Sequence, residues 1–155
     1  MTDLRDLLSP DRARIAVDAR SRKRVLELAA ELIAKGNPAL SAAAVFENLM
    51  TRERLGSTGL GEGIAIPHCR VDGATPAAAL LRLAAPVDFN AIDDVPVDLL
   101  FVLVVPTAET QAHLATLATL ARVFQSDANR QTLRKQENDR AFYDSFLSLV
   151  AATHP

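Results

Sequence analysis

The sequence predicts an α/β fold, a single-domain helix–sheet–helix sandwich whose central mixed β-sheet is flanked by helices on both faces. Three observations carry this. Val97 to Val105, VDLLFVLVV, is an almost unbroken apolar run with the length of a strand buried on both sides. Ser21 and Ser41 each open a segment whose apolar residues recur at helical spacing. Strand-like and helix-like segments mix along the chain, and the helices are long enough to cover a sheet on two faces.

Taken in order, Arg14–Val17 is a candidate short strand. A helix capped by Ser21 runs through Lys35 on a stripe of Val25, Leu28, Ala29, Leu32 and Ile33, and Gly36-Asn37-Pro38 stops it. Ser41 caps a second helix, with Val45, Leu49 and Phe46 inward, running out near Arg54. A glycine-rich loop follows and leads into the extended segment Ile64-Ala65-Ile66-Pro67-His68. Proline disfavours the helical region for the residue before it, so Ile66 is extended and His68 emerges at a strand end. Ala78–Ala84 reads as a strand, the polar AIDDVP segment as a connection, and Val97–Val105 as the buried strand. A helix from about Ala108 to Gln125 carries Leu114, Leu117, Ala118, Ala121 and Phe124. A short helix from Asp127 to about Arg134 and a last one over Asp139–Val150, with Phe142, Phe146, Leu149 and Val150, complete the chain.

Composition narrows the function. The 155 residues suit one domain with a real core, and nearly half are hydrophobic. A formal net charge of -2 offers no basic footprint for nucleic acid. No apolar run approaches the roughly 18–20 residues that span a bilayer. The start, MTDLRDLLSP, is acidic where a secretion signal is basic, and the single cysteine cannot form an internal disulfide. These features point to the cytoplasm.

The chemistry concentrates in Arg52 to Arg70, RERLGSTGLGEGIAIPHCR. Three of the six glycines, Gly59, Gly61 and Gly63, alternate just before the segment that ends on His68. Backbone N–H groups, the hydroxyls of Ser57 and Thr58, and an arginine around one imidazole describe an anion site. A phosphoryl group carried on the ring itself is the leading reading. The neutral ring is available near pH 7, because the unperturbed histidine pKa is about 6.5. A nearby guanidinium disfavours the imidazolium and then stabilises the transferred dianion.

Each residue also has a plainer reading. His68 suits an ordinary half-buried polar position, the glycines simple tight turns, and Arg52 a solvated charge favourable to a helix C-terminus. His113 borders the apolar face of its helix, either satisfied by a carbonyl or turned to His68. His154, in the tail, is solvated. Cys69 faces opposite to His68 along a strand and belongs to no CxxC pair, so thiol catalysis has little support. No HxxxH, HExxH or cysteine cluster supports a metal. Asp88, Asp93, Asp94 and Asp98 read as a solvated turn.

Residues 52–68 resemble the phosphorylation loop of the IIA domains of the bacterial phosphotransferase system, fructose/mannitol class, and within it the nitrogen-regulatory branch. PVDLLFVLVVP and HLATLATLAR fall in the expected order, so the likeness covers nearly the whole chain as one IIA domain over 1–155. The resemblance implies that His68 is the phosphoryl acceptor, a candidate tele-phosphohistidine, with Arg52 and His113 as partners at the site. Ser57, Thr58, Gly59, Gly61 and Gly63 are the expected phosphoryl-binding donors. It implies an HPr-like phosphocarrier as donor, regulatory targets such as potassium transport or sensor proteins, and no cofactor. Cys69 stands where the family often has glycine. The alternatives are a sugar-specific IIA component, which passes the group to a IIB domain, and an interaction domain that carries no phosphate. Sugar-type IIA domains are often fused to other transport modules, so a free-standing length favours regulation.

Overall fold

In the computed structural model, residues 4–108 and 110–153 are described, with side chains for 4–108 and 114–153. A short helix α1 (Leu4–Leu7) and a 3-10 turn (Pro10–Arg12) precede β1 (Ala13–Val17). Two helices follow, α2 (Arg22–Lys35) and α3 (Ala42–Leu55), each started by a serine whose Oγ accepts from the amide three residues on. Ser21 takes the Arg24 N–H and Ser41 the Ala44 N–H. Three short strands β2 (Gly59–Gly61), β3 (Ile64–Ala65) and β4 (His68–Arg70) lead to the long β5 (Ala77–Val87) and β6 (Val97–Val105). The chain closes with α4 (Thr110–Gln125), α5 (Asp127–Lys135) and α6 (Asp139–Thr153).

The sheet order is β1-β5-β6-β3-β2, with β4 also paired to β6 beyond β3. Pairings β1–β5, β3–β6 and β4–β6 are parallel, whereas β5–β6 and β2–β3 are antiparallel, so the sheet is mixed as expected. Strand alternation splits the core into two layers. On β6, Leu100, Val102 and Val104 face α2 and α3, together with Ala79 and Leu81 of β5 and Cys69 of β4. Leu99, Phe101 and Leu103 face the other way, against Leu120, Val123, Leu133, Phe142 and Phe146 of α4, α5 and α6. Here the Phe146 ring stacks on Phe101 at 5.4 Å between centroids and leans on Phe124 at 6.2 Å.

Three expectations change. Among the described side chains of α4 the buried residues are Thr116, Thr119, Leu120, Val123 and Phe124, while Leu114 is 58% exposed and Ala118 and Ala121 face solvent. The repeating LATLATLAR pattern offers more than one stripe at helical spacing. Threonine enters the buried one because its hydroxyl can bond inside the helix, as Thr119 Oγ1 does to Ala115 O at 3.1 Å. Second, His68 opens β4 instead of closing a strand, because Ile66-Pro67 interrupts the ladder between β3 and β4. Third, Asp98 is not part of a solvated turn. It forms a two-pronged pair with Arg134 of α5, Nη2 to Oδ1 at 2.8 Å and Nε to Oδ2 at 3.1 Å.

Candidate functional site

The break at Pro67 is what presents the histidine. Proline has no N–H to give the sheet, yet its carbonyl accepts from Leu103 N at 2.9 Å and anchors the chain to β6 there. The Ile66 amide turns instead to Thr58 O, at 3.1 Å, so the segment is held from the side by the preceding loop. His68 then sits opposite Leu103 at the start of β4. Its ring is half-buried and its Nδ1 lies 2.7 Å from Ile66 O. A carbonyl can only accept, so Nδ1 carries the proton in the neutral ring and Nε2 holds the lone pair.

Arg52, in the last turn of α3, lines the same cleft of about 310 Å³ as His68, with Asn48, Thr51, Leu55, Cys69 and Arg70. Arg52 Nη1 donates to Gly56 O at 2.9 Å, which steers the side chain along the helix end. Burial holds the His68 pKa below the ordinary 6.5, against the opposing bond to Ile66 O, and the Arg52 and Arg70 charges add to the lowering. The structure therefore brings Arg52 and His68 together. The His113 side chain lies outside the described residues, as does His154.

The Ser57 and Thr58 hydroxyls are already engaged, by partners outside the loop. Ser57 Oγ donates to Phe89 O at 2.6 Å and accepts from Gly59 N at 3.0 Å. Thr58 is buried, and both its hydroxyl and its amide donate to the Glu53 carboxyl. Gly59 packs against Ala91 where a Cβ would collide. Gly61 lies beside Asp93, which accepts from Glu62 N at 2.9 Å. Gly63, at φ +81°, leaves room for Arg134, whose Nη2 also donates to Glu62 O at 2.7 Å. None of these five residues lines the His68 cleft.

Sequence reading missed Glu53 and Arg70. Both carried a signal. Glu53 continues the four-residue spacing of Val45 and Leu49, which places it on the buried face of α3. Arg70 is two residues past His68 on one strand and so shares its face. Burial raises the Glu53 pKa above the usual glutamate value, against the bonds from Thr58. Burial also pushes the Cys69 thiol up to about 12, so it is inert beside the histidine. Among the described residues no group of His, Cys, Asp and Glu could hold a metal ion, and no helix is long and apolar enough to cross a membrane.

Residues 6–148 match the family described as phosphoenolpyruvate-dependent sugar phosphotransferase system, EIIA 2. The chain is 49% identical over 144 residues to the nitrogen regulatory protein of Pseudomonas aeruginosa, covering 92% of this chain and 94% of that one. It is 41% identical over 142 residues to the Escherichia coli K12 nitrogen regulatory protein, covering 90% and 86%. In three dimensions it is similar to the crystal structure of nitrogen regulatory protein IIA-Ntr from Neisseria meningitidis. That match has a TM-score of 0.83 and 37% identity, and covers 92% of this chain and 97% of that one.

Proposed function

This chain belongs to the EIIA 2 family of the phosphoenolpyruvate-dependent sugar phosphotransferase system, and from that premise we propose that it is a regulatory phosphohistidine carrier. The observation that carries the reading is the half-buried His68 ring, protonated at Nδ1 by its bond to Ile66 O, in one cleft with Arg52. The names of its relatives, nitrogen regulatory proteins, support the regulatory branch over the sugar branch.

The transfer follows from that arrangement. The Nε2 lone pair of His68 attacks the phosphorus of an HPr-like phosphohistidine donor. The P–N bond of the donor breaks, and its electron pair returns to the donor ring. The Nδ1 proton stays on His68, held by Ile66 O, so the new phosphoimidazole is cationic at the moment of transfer and the group remains transferable. Arg52 offsets the negative charge gathering on the phosphoryl oxygens, which is the main demand of a loose transition state. His113 is proposed to orient the ring or the phosphoryl group. Ser57 and the Gly59, Gly61 and Gly63 amides are proposed to contribute donors to the phosphoryl group once their present bonds rearrange, whereas Thr58 stays bonded to Glu53. Phosphorylation adds about -1.5 to -2 charges at the rim and so selects which targets, potassium transport or sensor proteins among them, dock there in the cytoplasm.

The test is incubation with an HPr-like phosphocarrier charged from phosphoenolpyruvate, followed by intact-mass measurement. A gain of one phosphoryl group, lost in His68→Ala, is expected. No gain from a competent donor, or an unchanged gain in His68→Ala, overturns the reading.

A further inference from the structure

We propose that Glu53 and Thr58 form a positioning clamp that helps set the orientation and tautomer of His68 through hydrogen bonds joined by the backbone of Thr58 and Ile66. The run begins at the buried Glu53 carboxyl in the last turn of α3, which is 3% exposed. It accepts the Thr58 hydroxyl on Oε1 and the Thr58 amide on Oε2, the latter at 3.4 Å. Thr58 O accepts from Ile66 N at 3.1 Å, and Ile66 O accepts from His68 Nδ1 at 2.7 Å.

The clamp has a task that the sheet does not perform. Leu99 and Leu100 of β6 pair with Ile64 and Ala65, and Leu103 pairs with His68. Between these pairings the Ile66 amide leaves the ladder for Thr58, while the Pro67 carbonyl keeps its bond from Leu103 N. The direction of the Ile66 carbonyl, the group that selects the ring proton, is thus set between Thr58 on one side and Leu103 on the other. Thr58 lies outside the strands, and its side chain and amide are both tied to Glu53. Two polar residues almost fully out of water, each satisfied by the other, form a rigid link and not a solvated loop. Glu53 also adjoins Arg52 in sequence, so the same helical turn that carries the cation toward the cleft carries the root of the clamp. Glu53 and Thr58 touch no transferring atom. They act through the Ile66 carbonyl.

This inference rests on His68 being the phosphoryl acceptor, and the experiment separates the two. The ring nitrogens of His68 are followed by 15N NMR, and phosphoryl acceptance from the charged donor is timed, in the parent protein, Thr58→Val, Thr58→Ser, Glu53→Gln and Val150→Ala. The last variant loosens the far end of α6 and serves as a stability control. In the parent the Nδ1-protonated tautomer dominates. In Thr58→Val and Glu53→Gln the ring becomes a mixture of tautomers and acceptance slows roughly tenfold or more, the usual cost of a misplaced reacting group. Thr58→Ser, which keeps the hydroxyl, returns both readouts to the parent values, and Val150→Ala leaves both unchanged despite a lower melting temperature. Parent-like ring signals and rates in Thr58→Val or Glu53→Gln overturn the clamp, as does an equal disturbance in Val150→Ala. Should Thr58→Val not fold, Glu53→Gln set against Thr58→Ser decides alone. If the parent accepts no phosphoryl group, the carrier reading fails while the NMR signals still report on the clamp.

Discussion

His68 and Cys69 are neighbours with opposite fates. Along β4 one side chain turns to the cleft and the other to the core between the sheet and the first helix layer. The histidine is half-buried, which lowers its basicity while leaving it accessible. The cysteine is sealed, and its thiol stays protonated. Native protein should therefore leave a thiol reagent unreacted at mildly alkaline pH and consume it on unfolding. Fast labelling of the native state would place Cys69 at the surface. Arg52 contributes charge to the cleft without supporting the core. Arg52→Ala should keep its melting temperature but slow phosphoryl acceptance about ten- to hundredfold, given about 1.5–3 kcal/mol for one charge-assisted hydrogen bond. Unchanged single-turnover kinetics would remove it from the site. These residues were readable in the motif, because chemistry restricts which side chains can sit there. Glu53 was not singled out, since a charge beside two arginines at a helix end reads as solvated until its partner Thr58 is seen to be buried with it.

The hairpin of β2 and β3 shows how an element far along the chain fixes a local turn. Its turn is locked by Arg134 of α5, which donates to Glu62 O and pairs with Asp98 at the start of β6. Gly63 makes this possible: its φ is +81°, and a Cβ would lie 2.6 Å from Arg134 Nη2 and 2.9 Å from Asp98 Oδ1. Gly63→Ala should cost about 1–3 kcal/mol for the backbone strain alone, read as a lower urea midpoint with an unchanged slope. Parental stability would mean that the turn has another conformation available. The sequence marked the glycines as turn formers, and that reading carries over to Gly63 at least. The arginine that requires one of them lies 71 positions away, and no local pattern points to it. Caps behaved differently. Ser21 and Ser41 were legible because a cap bonds an amide three residues on, within the same short segment.

Across the whole molecule, the sheet separates a layer of two helices, one of which supplies Arg52, from a layer of α4, α5 and α6 that fills the opposite core. The second layer turns on Phe146, wedged between Phe101 of β6 and Phe124 of α4. Phe146→Ala should destabilise by about 3–5 kcal/mol, transfer and cavity effects together, in one cooperative transition followed by far-UV and near-UV signals alike. A loss below about 1 kcal/mol would show that this layer collapses to fill the space. Phe146 does not line the cleft, so the protein that remains folded should still accept phosphoryl groups at close to the parental rate.

Periodicity and caps were enough to announce a helix-flanked mixed sheet, because the two-residue and 3.6-residue repeats are properties of the backbone and show wherever one face is buried. The cleft histidine and the arginine beside it were likewise announced by a motif that spans only 17 residues, 52 to 68. Packing decided the rest: which stripe of α4 turned inward, that Asp98 finds Arg134, and that Glu53 and Thr58 satisfy each other out of water. Each depends on groups brought together by the fold from different elements, and the energy of a buried pair exists only after both partners have left water. A linear chain records the partners but not their meeting.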